Sequence, residues 1–187
     1  LNILDAQREM RDSYFWGATG VFTSALMWCC AGFVSLMVSS ERAVWALFIG
    51  GALIYPVSVA MDKLLGCRGK HDSANPMGSL ALASTFWLIF CLPITYVVST
   101  VNISWFFPSM LLVIGGRYLT FAVIFGLRIY WVLGLSLVGA AYFLVKSGSS
   151  PTLGAFVGSV IEFLFSVFIF ILAIKAKSNQ GHESIGA

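Results

Sequence analysis

Polar positions along this chain separate six long apolar runs, at residues 15–38, 43–61, 80–98, 106–125, 129–145 and 154–174. A helix needs about 20 apolar residues to cross the roughly 30 Å of bilayer hydrocarbon. Backbone N–H and C=O groups cannot be left open in lipid, and these runs are continuous rather than alternating. They are therefore helices, not barrel strands. The pattern predicts an all-α, polytopic membrane bundle of six transmembrane helices. Pro56 and Pro93 fall inside the second and third runs, where a kinked helix can continue. Only Gly126, Leu127 and Arg128 divide the fourth run from the fifth, so a tight loop and a re-entrant bend are both open there.

Three regions follow: residues 1–14, a cytoplasmic and interfacial or simply solvated helical lead-in; residues 15–174, the six-span domain; and residues 175–187, a polar cytoplasmic tail. In the lead-in, Leu4, Met10 and Tyr14 can share one helix face, as in helices that lie on a membrane surface. The first run is too long for a signal peptide, and acidic residues mix with the basic ones before it.

Composition sharpens this reading. Hydrophobic residues make up 59% of the chain and charged residues 10%, against about 25% charge in a typical soluble domain. The net charge of +3 does not point to nucleic acid, because the basic residues flank the runs. With the N-terminus inside, Arg8, Arg11, Lys63, Arg68, Lys70, Arg128, Lys175 and Lys177 collect on the cytoplasmic side, and only Arg42 and Lys146 outside. The positive-inside rule then places both termini in the cytoplasm; the expected location is the plasma (inner) membrane. Cys29, Cys30 and Cys91 lie in runs and Cys67 in a polar loop, which is not the framework of a disulfide-stapled secreted domain. The Asn102-Ile103-Ser104 sequon sits in a very short outer loop, against the membrane.

Arg117 and Glu162 alone lie deep inside runs, where a charge costs at least ~2.5–3.5 kcal/mol and normally has a partner or a function. Helical rise puts them ~16 and ~12 Å from the outer ends of their spans, close enough for an arginine to reach the acid. Three readings stay open: a static clamp between the fourth and sixth spans, a working site for proton coupling or anion contact, and an unpaired, snorkelling Arg117.

Helices in lipid associate through small and polar residues. Gly154, Gly158, Glu162 and Ser166 recur at four-residue spacing and share a face of the sixth span. Gly51, Tyr55, Ser58 and Asp62 form a similar line in the second, with Gly50 beside it. Gly50, Gly51, Gly154 and Gly158 are read as helix-packing positions; Ser58, Asp62, Tyr55 and Ser166 as possible pathway lining. Ile49-Gly50-Gly51 and Ile114-Gly115-Gly116 hint at a duplicated hairpin.

Chemistry beyond this is sparse. His71 and His182 both lie outside the runs, so no haem axial pair or intramembrane histidine relay is present. Cys67 and His71, with Asp72 beside them, fall short of a four-ligand zinc site. No nucleophile elbow, C-x-x-C or phosphate loop occurs. No metal, no cofactor and no enzymatic activity are expected.

The stretch Trp105-Phe106-Phe107-Pro108, with Met110-Leu111-Leu112-Val113-Ile114-Gly115-Gly116-Arg117-Tyr118-Leu119-Thr120-Phe121, resembles a motif of a small bacterial multi-pass family of unknown function. Ala43-Val44-Trp45-Ala46-Leu47-Phe48 and Asn75-Pro76 extend the likeness. The resemblance implies a bacterial inner-membrane protein and carries no activity or site residue.

The expectation for function is passage of a small solute or ion through the bundle, with Glu162 and Arg117 at the midplane. The alternative is a non-catalytic accessory or scaffolding protein whose Arg–Glu pair is purely structural. Expected partners are the lipid bilayer, a small ion or solute, and a second copy or membrane partner through the small-residue faces.

Overall fold

The computed structural model describes residues 2–183, with side chains through residue 177; residue 1 and residues 184–187, the end of the expected tail, lie outside the described residues. The elements are α1 (Ile3–Ser13), a 3₁₀ turn (Phe15–Gly17), α2 (Ala18–Met37), α3 (Ser40–Leu64), α4 (Pro76–Val101), a second 3₁₀ turn (Ile103–Trp105), α5 (Phe106–Phe125), α6 (Ile129–Lys146) and α7 (Pro151–Glu183). Six of these helices, α2 to α7, are long and apolar enough to cross a membrane. The chain is an integral membrane protein built as a helical bundle.

Helices α3 and α4 begin ahead of their apolar runs because polar caps set their starts. Ser39 accepts a hydrogen bond from the Arg42 amide at 3.2 Å and starts α3 ahead of its first apolar residue. Asn75 does the same for α4 through the Met77 amide at 2.9 Å, with Pro76 at the first helical position. At the other extreme, α7 runs on to Glu183, so the expected polar tail begins as helix. The helices continue through Pro56 and Pro93.

The junction around Gly126 is a true loop, not a re-entrant bend. Gly126 adopts φ 64°, and the Leu127 amide reaches back to the Ala122 carbonyl at 3.1 Å, which closes α5 before α6 begins. The two helices then pack antiparallel. Their closest approach is at Gly115 and Gly134, where a Cβ on either would lie within 2.8 Å of the other's carbonyl oxygen.

The most extensive interface joins α2 to α7; α3 flanks α2, and α4 flanks α5. The flanking helices turn large side chains such as Ile49, Trp87, Phe90 and Ile94 outward, as lipid-facing helices do. The two Ile-Gly-Gly motifs are not in equivalent settings. Gly50 meets Met27 of the preceding helix, whereas Gly115 meets Gly134 of the following one.

Helix α1 lies across one end of the bundle. It buries Ala6, Met10 and Ser13, so its inward face differs from the expected Leu4–Met10–Tyr14 line, and Leu4 points out. Hydrogen bonds tie it and the following Tyr14 to two parts of the chain, α5 and the connection from α3 to α4. Gln7 donates to the Val123 carbonyl at 2.7 Å, and Arg11 donates to the Phe125 carbonyl. Asn75 donates to the Ala6 carbonyl at 3.0 Å and to Glu9 Oε2 at 2.8 Å. Glu9 Oε1 accepts the Asp72 amide at 2.6 Å, and the Ser13 carbonyl accepts the Gly69 amide at 2.9 Å. The Tyr14 hydroxyl and His71 Nδ1 share a 2.7 Å hydrogen bond.

Candidate functional site

The four-residue repeat of α7 faces the centre of the bundle. A Cβ on Gly154 would lie 2.9 Å from Phe107 Cβ, and one on Gly158 would lie 2.8 Å from the Trp28 ring and 3.0 Å from Leu111. These absent side chains let α2 and α5 close on α7. One turn further on, Glu162 enters the same contact and is 0% exposed. On the adjoining face, Ser159 donates to the Ala25 carbonyl of α2 at 2.9 Å.

The partner of Glu162 is Tyr118, whose hydroxyl donates to Oε1 at 2.9 Å. The buried hydroxyl of Ser24 on α2 lies beside the same carboxyl. Tyr118 stacks against Tyr130 of α6, with ring centroids 6.0 Å apart and planes 25° from parallel, so its hydroxyl is held from behind. Glu162 Oε2 is buried without a hydrogen-bond partner.

The expected Arg117–Glu162 pair is not made. Arg117 Nη2 donates to Thr85 Oγ1 of α4 at 3.1 Å, and the guanidinium sits 5.2 Å from the Phe121 ring centroid. Both residues lie about 16 Å from the starts of their helices, so depth does not separate them. Direction does. Arg117 and Tyr118 are neighbours, about 100° apart around α5. The tyrosine takes the face towards α7, and the arginine is left facing α4. Its Nε is buried without a hydrogen-bond partner.

The residues considered for a pathway do not converge. Ser58 and Ser166 are buried, and each hydroxyl closes on its own helix, to the Tyr55 carbonyl at 2.9 Å and the Phe163 carbonyl at 2.7 Å. The Tyr55 side chain is 66% exposed and lies beside Tyr14, away from Glu162. Asp62 is buried where α3 meets α2 near the α1 end, and it accepts from Thr19 Oγ1 at 2.7 Å. Thr23, a turn along from Thr19, donates to the Thr19 carbonyl at 2.8 Å. Gly51 meets nothing within 4 Å, so of the two adjacent glycines only Gly50 packs a neighbour.

Tyr118, Ser159, Thr19 and the Gly115–Gly134 approach escaped the sequence reading, whereas Ser24 lies on the small-residue face expected of the first span. A signal existed for Tyr118: a phenol beside a buried arginine carries a neutral donor long enough to reach a neighbouring helix. Thr19 and Thr23, spaced four apart, mark a polar face of α2 in the same way.

Six apolar spans, a capping helix across one end and an acid sealed at the centre define a polytopic helical membrane protein. The chain belongs to a family of unknown function, DUF7010, whose model matches residues 3–172. That match takes in the Trp105–Phe121 segment and agrees with the uncharacterised family its motif resembles. No curated protein and no solved structure matches the chain.

Proposed function

We propose that the protein is a non-catalytic accessory or scaffolding component of the plasma membrane, with Glu162 and Tyr118 locking α5 to α7. The observation that carries this reading is the 0% exposure of Glu162: no surface reachable by water touches the one acid at the centre. A static lock has no need of such a surface, whereas an ion or solute route does. Both termini are assigned to the cytoplasm from the bias of Arg and Lys between the two sets of loops. Reporter fusions at Lys177 and in the 63–70 loop should read cytoplasm, and fusions near Glu41 and Gly148 outside; the reverse pattern overturns this assignment.

A second reading, passage of a small ion or solute, draws on the unpartnered Glu162 Oε2 and Arg117 Nε. Buried polar atoms without partners are uncommon and often mark functional positions. Proteoliposome flux of protons and monovalent cations separates the two. The accessory reading expects no flux, with Glu162→Gln altering only the thermal midpoint. Flux that is lost in Glu162→Gln at unchanged folding would overturn it in favour of transport.

A further inference from the structure

At the α1 end, a cleft of about 630 Å³ opens between α1, the 3₁₀ turn before α2, the α5–α6 connection and α7. Pockets of ~300–1,000 Å³ hold small ligands. Arg8, Arg11 and Lys177 line this one, with Asp12 as the acid among them. Three cations against one anion leave the cleft electropositive. The rest of its lining is largely apolar and includes Phe15, Trp16 and Leu127.

Two features show that the wall is built rather than incidental. Phe15 and Trp16 hold φ 45° and 60°, a left-handed backbone that side-chain-bearing residues rarely adopt, followed by Gly17 at 80°. Such positions cost ~1–3 kcal/mol each, persist only where the surroundings impose them, and cluster at functional sites. Here Tyr130 fixes the turn by donating to the Trp16 carbonyl at 2.8 Å. Arg11 is half-buried at the same place, with one N–H on the Phe125 carbonyl and its guanidinium 5.8 Å from the Trp16 ring. Burial lowers its pKa from the ordinary value, the mark of a partly desolvated cation that an anion would stabilise.

We propose that this cleft binds a phosphate group, carried by an anionic lipid headgroup or free in solution, with Arg8, Arg11 and Lys177 as its cations. Guanidinium forks match phosphate oxygens. The aromatic wall suits the glycerol and upper acyl region beside a headgroup, the level at which tryptophan sits in membranes. The site is independent of the Glu162 lock and stands whichever reading of that acid holds.

The test uses the full chain in phosphatidylcholine nanodiscs, with or without phosphatidylglycerol, and with inorganic phosphate added to the phosphatidylcholine sample. Bound phosphatidylglycerol is measured by native mass spectrometry, and the response to phosphate by thermal midpoint. Arg8→Gln with Lys177→Gln removes two cleft charges from exposed side chains. Arg128→Gln with Lys175→Gln removes two charges at the same end but outside the cleft.

The cleft variant should bind phosphatidylglycerol roughly ten- to thirtyfold more weakly, the loss expected for two basic groups near a membrane surface, and the control variant should match the wild type. A thermal rise with inorganic phosphate alone, absent in the cleft variant, supports the site and names free phosphate as its source. Equal weakening in both double variants would reduce the cleft to a diffuse positive field and overturn the proposal. So would a wild type that neither retains phosphatidylglycerol nor responds to phosphate. Should the double cleft variant melt lower in pure phosphatidylcholine, Arg8→Gln alone carries the comparison, with an expected loss of about fivefold.

Discussion

The Tyr118 hydroxyl meets Glu162 Oε1 at 2.9 Å, while Arg117, one residue earlier, turns to Thr85. Removing the tyrosine donor strands a fully buried carboxyl. Tyr118→Phe should therefore cost about 1–3 kcal/mol, read as a fall in thermal midpoint in detergent. Combined with Glu162→Leu, it should show a coupling of about 0.5–3 kcal/mol. Arg117→Met with Glu162→Leu should show a smaller coupling, because no hydrogen bond joins that pair. A larger coupling for Arg117 would mean that the clamp runs through the cation after all.

The glycines of the bundle should separate by their surroundings. Gly154→Ala and Gly158→Ala push a methyl group against Phe107 and Trp28, at 2.9 and 2.8 Å. Overpacking of this kind costs about 1–3 kcal/mol. Gly51→Ala meets open space and should stabilise α3 by roughly 0.5–1 kcal/mol through backbone entropy. Thermal midpoints of the three variants in one detergent give the ranking.

Asn75 caps α4 and holds α1 through two further hydrogen bonds. Asn75→Ala should cost about 1–2 kcal/mol by loss of the cap alone. The selective readout is hydrogen exchange: amides of residues 3–13 should lose protection, while those around Glu162 keep it. Uniform loss would show that α1 and the bundle open as one unit.

Tyr14, just before the first span, has its pKa pushed up to about 12 by burial first and by neighbouring Tyr55 second. Its proton is held more tightly in the folded state than in the unfolded chain. The stabilisation is therefore complete below the ordinary value near pH 10, and it is lost as pH rises through about 12. The stability difference between the wild type and Tyr14→Phe should be flat below that window and shrink across it. A difference that begins to shrink in mildly alkaline solution would contradict the burial of this hydroxyl.

The six spans were legible because length and continuous apolarity decide them without reference to any neighbour. The inward face of α7 was legible for a similar reason, since Gly154, Gly158 and Glu162 repeat along one helix. What could not be read was rotation between helices. Arg117 and Tyr118 are adjacent in sequence, and only the packing of α5 against α6 decides which of them meets the acid. The docking of α1 was hidden because Gln7 and Arg11 bond to main-chain carbonyls, which leave no mark in the residue pattern. Gly115 and Gly134 announced themselves only as two small residues in different spans.

The broad contact of α2 with α7 joins the earliest-made of these six spans with the sixth. The α2–α3 and α5–α6 hairpins can form from local neighbours as soon as each has been inserted, yet neither completes the centre. Until α7 arrives, Trp28 and Tyr118 face lipid or each other, and the phenol has no acid to meet. Insertion and assembly are therefore separate events for this bundle, with the second waiting on α7. A chain interrupted after Lys146 would hold five spans in the membrane and still lack a closed bundle, leaving an open seam for quality control to recognise.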